Sequence, residues 1–196
     1  NPNFRKWFGD SKVVDENGEP LVVYHGTAKT FPAFDYVSPT DDIGFHFGDK
    51  YAAEGRLENQ ANLNRVYQRG ALAKSSLDDY QGMNVMPVYL SIQNPLRLPD
   101  AGTWAPSSIA SLIERKGPEI KDLTRAQKSK IKKLGYQSSY QAGRERGEEL
   151  RSYLQSLGFD GIVYKNLFEG KGTSYIAFSP TQIKSIFNTG TWDAHN

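Results

Sequence analysis

The chain of 196 residues contains no cysteine and only three histidines, His25, His46 and His195. The lack of cysteine excludes disulfides, thiol nucleophiles and cysteine-ligated zinc or iron–sulfur sites. A three-histidine metal site would need every histidine, including one beside the chain end, so we expect no metal. No run of about 18 apolar residues occurs, so we expect no transmembrane helix and no membrane partner.

Common nucleotide-binding and hydrolase motifs are also missing. No GxGxxG follows a strand, and neither GxxxxGK[ST] nor GxSxG is present, which argues against Rossmann, P-loop and α/β-hydrolase folds. The chain has no signal segment and begins Asn1-Pro2 rather than with Met. We therefore expect a piece of a longer protein, whose localisation is unknown from these residues.

Charge is unevenly distributed along the chain. The net charge is only +2, yet residues 115–133 hold eight basic and two acidic side chains, a net +6. Such a segment has two interpretations. It is a solvated helix face, or it is an electrostatic footprint for nucleic acid or another polyanion.

Apolar patterning predicts an α+β fold. Hydrophobic residues make up 38% of the chain, enough for a core. Helices are predicted within residues 3–13, 51–69, 106–116, 122–134 and 139–157. Strands are predicted at residues 21–24, 43–47, 86–92, 95–98, 161–164, 175–178 and 183–187. Strands, then a helical middle, then strands favour α+β over an alternating βαβ order.

Two strand histidines beside glycines are the first candidate site. His25-Gly26-Thr27 ends the first strand, and the glycine allows close approach to its main chain, which can bind a planar amide. His46 lies in Gly44-Phe45-His46-Phe47-Gly48. If the two phenylalanines face the core, alternation turns His46 to the opposite face. The alternative is a strand-end turn with a structurally satisfied histidine and a surface histidine.

A glycine-rich loop is the second candidate. Residues 166–175 carry one carboxylate, Glu169, and lead directly into a strand. The loop is either a hairpin turn with a solvated glutamate or a mobile loop that brings a carboxylate and a hydroxyl to a cleft.

These places, taken in order, resemble the ADP-ribosyltransferase superfamily, in the branch related to poly(ADP-ribose) polymerases and diphtheria toxin. The resemblance is to the ADP-ribosyltransferase domains of phage polyvalent proteins and bacterial polymorphic toxins. It covers nearly the whole chain except roughly residues 100–150. The matching blocks are residues 4–14, 20–27, 44–49 with Ala53 and Arg56, 88–96, 157–166 and 174–185.

The resemblance implies a single domain over residues 1–196. Its fold would be a split pair of small, mostly antiparallel sheets flanked by helices, with a helical insert near 104–157. NAD would be the substrate, bound folded in a cleft between the two sheets. His25 would bind the adenosine ribose, the Gly26 main chain would hold the nicotinamide carboxamide, and Thr27 would add a hydroxyl.

Further roles follow from the same resemblance. His46 takes the place of a tyrosine that stacks on nicotinamide in many relatives. The implied catalytic residues are His25, His46 and Glu169. The implied NAD-binding set is His25, Gly26, Thr27, Phe45, His46, Ala53 and Ser174. Lys171 and Gln182 are the candidates for acceptor binding.

The sequence departs from the family where the closing strand begins. A catalytic glutamate is often found there, but this chain has Thr173-Ser174-Tyr175. Glu169, five residues before Ser174, could swing in; alternatively Ser174 occupies the site and ribose activation is weaker.

The leading hypothesis is a mono-ADP-ribosyltransferase that moves ADP-ribose from NAD to a macromolecular acceptor, either nucleic acid (RNA or DNA) or protein. A toxin or effector role is implied, acting in the cytoplasm of a target bacterial cell after secretion or injection, with a cognate immunity protein as partner. The alternatives are an NAD glycohydrolase toxin and a catalytically inactive module that binds nucleic acid or protein.

Overall fold

The structure of the protein, a computed structural model, describes residues 1–27, 34, 42–69, 82–138, 145–168, 170, 172–188, 190 and 192. Five helices and seven strands lie within these ranges. The helices are α1 (Pro2–Phe8), α2 (Lys50–Arg69), α3 (Pro106–Lys116), α4 (Arg125–Ser138) and α5 (Glu145–Ser156). The strands are β1 (Val23–Thr27), β2 (Phe45–Phe47), β3 (Asn84–Leu90), β4 (Pro95–Arg97), β5 (Gly161–Lys165), β6 (Thr173–Ala177) and β7 (Ile183–Ser185).

The strands form two sheets. A three-stranded antiparallel sheet has the order β1-β3-β7, and a four-stranded sheet has the order β2-β6-β5-β4. Among the strand pairs of the described residues, only β4–β5 is parallel. The predicted α+β class with two small, mostly antiparallel sheets is confirmed.

Two apolar cores lie on opposite sides of the four-stranded sheet. Between the sheets, Val23 and Val88 pack against Phe47 and Tyr175. The other face of the four-stranded sheet packs on α3–α5 in a larger core. Strand alternation separates the two, since Ile176 lies in the helical core while its neighbours Tyr175 and Ala177 lie between the sheets.

The helices α3, α4 and α5 follow β4 and precede β5, where the helical insert is predicted. Thr124 begins α4 with a reciprocal cap: its main-chain N–H donates to Gln127 Oε1 (2.8 Å) and its Oγ1 accepts from the Gln127 N–H (3.3 Å). Gly158 follows α5 with a φ of +89°, as expected of a residue that ends a helix. None of the helices in the described part of the chain is long and apolar enough to cross a bilayer.

Part of the basic segment supports this insert. Lys128 Nζ donates to the carbonyls of Gly117 (2.8 Å) and Ile120 (2.6 Å), and Lys116 pairs with Glu119 at 3.1 Å. These lysines stabilise the α3–α4 connection. Arg115, Arg125, Lys130 and Lys133 are exposed.

Helices α3 and α4 cross at Gly135, in the interior of α4. A Cβ there would lie 2.7 Å from Ala110 Cβ and would overlap the Pro106 carbonyl oxygen. The close approach of the two helices therefore requires glycine, although alanine has the higher helix propensity.

We predict that Gly135→Ala lowers the free energy of unfolding by about 1–3 kcal/mol, because the added methyl overpacks the crossing. Gly117→Ala is the matched control, since a Cβ at that position meets nothing within 4 Å and its φ of −49° suits alanine. Urea unfolding of both variants measures the difference. A Gly135→Ala variant as stable as the wild type would contradict the packing.

Candidate active site

The two sheets meet at one bridge and then separate. Tyr24 of β1 exchanges two main-chain hydrogen bonds with Gly48, of 2.8 and 3.1 Å. Moving two residues along each strand brings Gly26 opposite His46 as the next pair of an antiparallel ladder. That pair does not form, and the carbonyl of His46 accepts a hydrogen bond from His25 Nδ1 (2.8 Å). We call the space between Gly26 and His46 the fork.

The main chain of Gly26 faces the fork. Residues two apart in a strand direct their N–H and C=O to the same side, and Tyr24 directs both away from β3. The Gly26 N–H and C=O therefore also point away from β3, towards the fork. A Cβ on Gly26 would overlap the Ala53 carbonyl oxygen of α2, so glycine also allows α2 to pack on β1.

The ring of His25 lies on the face of β1 that points away from α2, and it packs against aromatic side chains. Its centroid is 5.1 Å from that of Phe34 and 5.5 Å from that of Phe47. Burial lowers the pKa of His25, although the hydrogen bond to the His46 carbonyl acts to raise it. A carbonyl only accepts, so Nδ1 carries the proton and Nε2 is the acceptor nitrogen of a neutral imidazole.

The ring of His46 faces away from the inter-sheet core that contains Phe47. Its Nε2 is buried and has no hydrogen-bond partner among the described residues. Asp42 Oδ1 lies 3.7 Å from Nε2, an ion-pair distance that is too long for a hydrogen bond. Burial acts to raise the pKa of the Asp42 carboxyl, but His46 and the Arg56 guanidinium outweigh it and hold that pKa below its usual value.

A pocket of about 210 Å³ opens beside His46, and we call it the β2 pocket. Its polar lining includes Asp42, His46 and Arg56. Its aromatic lining includes Trp104 and Tyr164, whose ring centroids are 4.5 Å apart. The pocket therefore combines charged groups with aromatic surface.

The side chain of Ser174, near the start of β6, is polar but buried. Ser174 is 2% exposed, and its Oγ accepts a hydrogen bond from Asn166 Nδ2 (3.1 Å). Ser174 also packs under Gly48, where a Cβ would lie 3.0 Å from its Oγ. Glu169 and Lys171 lie outside the described residues, so their predicted roles stay predictions.

The other predicted site residues have different surroundings. Thr27 ends β1 opposite Asn84, and Ala53 is buried in α2. Phe45 packs on Phe34 between the sheets, at a centroid distance of 5.6 Å. The structure thus brings His25, Gly26, Ala53 and the His46 main chain together at the fork.

The Gln182 amide is fully engaged by the main chain. Its Nε2 donates to the carbonyls of Ser91 (3.0 Å) and Asp160 (2.9 Å), and its Oε1 accepts from the N–H groups of Phe178 (3.0 Å) and Ser179 (2.8 Å). These four bonds use the whole hydrogen-bonding capacity of the amide. A role in acceptor binding therefore rests on the resemblance alone.

Sequence reasoning missed the Asp42 carboxylate and the aromatic wall of the β2 pocket. Asp42 precedes β2 in a segment rich in Pro, Asp and Thr, where nothing distinguishes one aspartate from the next. Trp104 and Tyr164 are about 60 residues apart and meet only because β4 and β5 are neighbours in one sheet. No local pattern signals either feature.

We predict that His25 makes stability depend on pH. The pKa of His25 is lower in the folded state than its ordinary 6.5, so the unfolded chain takes up the proton first and stability falls as pH drops below that value. The Asp42 pKa lies below 3.8, so that carboxyl does not titrate in this window. Urea unfolding between about pH 8 and about pH 5 should show a steeper loss for the wild type than for His25→Asn. Equal slopes would contradict the burial of a neutral imidazole.

The chain was compared with protein families, curated proteins and solved structures. No curated protein and no solved structure matches it. One family model, described as ADP-ribosyltransferase in polyvalent proteins, matches residues 15–192. This match covers both sheets, the fork, the β2 pocket and the helical insert. The chain belongs to the ADP-ribosyltransferase family of polyvalent proteins.

Proposed function

We propose that this domain binds NAD at the fork and transfers its ADP-ribose to a macromolecule, as a mono-ADP-ribosyltransferase. Family membership supports ADP-ribosyltransferase activity in general. The observation that supports NAD at this place is the main chain of Gly26. Its N–H and C=O leave the sheet ladder on the side of the fork, beside two histidines.

A primary carboxamide is complementary to the main-chain N–H and C=O of Gly26. The amide oxygen of nicotinamide accepts from the N–H, and its NH₂ donates to the C=O, which gives two parallel hydrogen bonds. Gly26 is half-buried against α2, and such bonds are stronger where contact with water is reduced. The nicotinamide end of NAD would therefore be held by main-chain atoms.

His25 supports the sugar side of the proposal. Its imidazole is neutral near pH 7, because burial lowers its pKa, and the bond from Nδ1 to the His46 carbonyl makes Nε2 an acceptor. A hydroxyl donor such as the adenosine ribose pairs with an acceptor nitrogen of this kind. His25 thus borders the fork through Nδ1, and the proposal assigns the ribose contact to Nε2.

Charge develops on the ribose when the bond to nicotinamide breaks, as in glycoside cleavage. A fixed carboxylate nearby stabilises this oxocarbenium-like state. We assign that role to Glu169, since Ser174 at the start of β6 is buried and bound by Asn166.

We further propose a toxin or effector role in the cytoplasm of a bacterial target cell, with an immunity protein in the producing cell. The acceptor is a macromolecule, and the exposed basic residues of α3 and α4 support nucleic acid. Lys171 is a candidate for its contacts, and Gln182 is one only through the resemblance, because its amide is fully hydrogen-bonded.

The direct test is incubation with NAD labelled on the adenylate phosphate, together with a bacterial extract. We predict label on macromolecules and release of free nicotinamide. Loss of the label with nuclease alone identifies nucleic acid as the acceptor, and loss with protease alone identifies protein. Free labelled ADP-ribose without labelled macromolecules would instead favour an NAD glycohydrolase, and NAD left intact would contradict both.

We predict that His25→Asn weakens NAD binding at least about 10-fold, by the loss of one hydrogen bond and of ring contacts. The asparagine amide reaches the His46 carbonyl in place of Nδ1, so the fork and the fold are preserved. Tryptophan fluorescence titrated with NAD measures the affinity. Wild-type affinity in a folded variant would remove His25 from the site.

We predict that Glu169→Gln lowers kcat for nicotinamide release about 100-fold or more while the NAD Kd changes little, because the carboxylate acts on charge that develops in the transition state. Glu16→Gln is the control, since Glu16 lies in an exposed turn between α1 and β1. An unchanged kcat would transfer the stabilising role to another group.

A further inference from the structure

The β2 pocket contains a buried nitrogen whose hydrogen-bonding capacity the fold does not use. His46 Nε2 is shielded from solvent and has no partner in the described part of the chain, while Asp42 Oδ1 lies 3.7 Å away. A buried polar atom without a partner destabilises the fold. Its retention in a pocket next to the fork points to a use in chemistry.

The neighbouring polar groups of the pocket are engaged elsewhere. Asp100 accepts hydrogen bonds from the N–H groups of Gly102 (2.9 Å) and Leu167 (2.8 Å), which ties two loops together. Asn166 holds Ser174, and its Oδ1 accepts from the Phe168 N–H (3.1 Å). These groups build the wall. The Asp42 carboxylate is the one that faces His46.

A carboxylate beside one imidazole nitrogen prepares the other nitrogen as a base. An ionised Asp42 favours the tautomer of His46 that carries its proton on Nε2, and a movement of less than 1 Å converts the 3.7 Å contact into a hydrogen bond. The lone pair then lies on Nδ1. The ring is 31% exposed with its Nε2 edge buried, so Nδ1 lies on the accessible side.

We propose that His46 is the general base of the ADP-ribosyl transfer and that Asp42 is its positioning residue. This inference rests on the proposed function. It goes beyond it by naming the group that activates the acceptor.

The transfer exchanges one bond at ribose C1′ for another. The bond between ribose C1′ and the nicotinamide nitrogen breaks, and its electron pair leaves with neutral nicotinamide. A hydroxyl oxygen of the acceptor, or of water, forms the new bond to C1′. The proton of that hydroxyl passes to His46 Nδ1 and then to solvent, while Asp42 stabilises the imidazolium through Nε2–H.

Position in the fold supports this role. The main-chain carbonyl of His46 borders the fork by accepting from His25, and the side chain of His46 lines the β2 pocket. One residue therefore contributes to both spaces. A nucleophile that enters through the pocket meets the base at the edge of the proposed NAD site.

Azide provides the activity test, because its anion attacks C1′ without losing a proton. Nicotinamide release from NAD is measured in buffer and in sodium azide for the wild type, Asp42→Asn, His46→Ala and Glu54→Gln. Glu54 is the matched control, since its carboxylate pairs with Lys50 at the same 3.7 Å on the exposed face of α2.

We expect hydrolysis to fall at least about 10-fold in the Asp42 and His46 variants, with the NAD Kd within about threefold of the wild type. Azide should restore most of the rate in His46→Ala.

A second readout is independent of NAD. The chain has only three histidines, so long-range ¹H–¹⁵N spectra at alkaline pH resolve each tautomer. We expect Nε2–H for His46 and Nδ1–H for His25, and we expect Asp42→Asn to shift the His46 tautomer while His25 is unchanged.

The outcomes separate the two proposals. A wild type that leaves NAD intact contradicts the proposed function, and the base role with it. An active wild type with equally active Asp42 and His46 variants overturns the base alone. So does a loss of activity that azide does not restore in a variant that still binds NAD. A His46 tautomer that is insensitive to Asp42→Asn overturns the positioning role.

Discussion

The hydrogen bond from His25 Nδ1 to the His46 carbonyl is the interaction on which the site depends. In a ladder that continued from the Tyr24–Gly48 bridge, Gly26 and His46 would be the next antiparallel pair. The side chain takes the place of a main-chain donor. Main-chain groups that would have paired with each other instead border an open space.

Helix α2 constrains the same region from the other side. A Cβ on Gly26 would overlap the Ala53 carbonyl oxygen. A Cβ on Gly48 would lie 2.9 Å from the Ala52 methyl and 3.0 Å from Ser174 Oγ. Side chains at these two positions would displace the helix from the point where the sheets meet. The glycines therefore serve packing first, and this packing fixes the position of the Gly26 main chain. The packing of α2 on the sheets therefore depends on the absence of a side chain at Gly26 and Gly48.

Most elements of the fold follow from local patterns in the sequence. The periodicity of Phe4, Trp7 and Phe8 predicts α1, and the positive φ of Gly158 confirms the predicted end of α5. Alternation correctly predicts that His46 faces away from its phenylalanine neighbours. The sheet partners could not be predicted, because the pairing of β2 with β6 joins residues about 130 positions apart. The same holds for the Asp42–His46 pair, whose loop carries no periodic signal.

The fold requires glycine at position 26 for a reason that the sequence does not show. The sequence predicts that glycine lets a ligand approach the main chain there, whereas the space that a Cβ would occupy belongs to Ala53 of α2. The atoms that face the fork are the N–H and C=O of Gly26, whose direction follows from strand alternation and the Tyr24–Gly48 bridge. Sequence alone cannot separate these two causes, since both select for the same residue.

The most direct measurement of the central claim is the chemical shift of the Gly26 amide during titration with NAD and, separately, with nicotinamide and nicotinic acid. A main-chain clamp for a carboxamide predicts a large saturable shift with NAD and nicotinamide and a much weaker one with the acid, which lacks the NH₂ donors. Saturable NAD binding that leaves the Gly26 amide unmoved would contradict it.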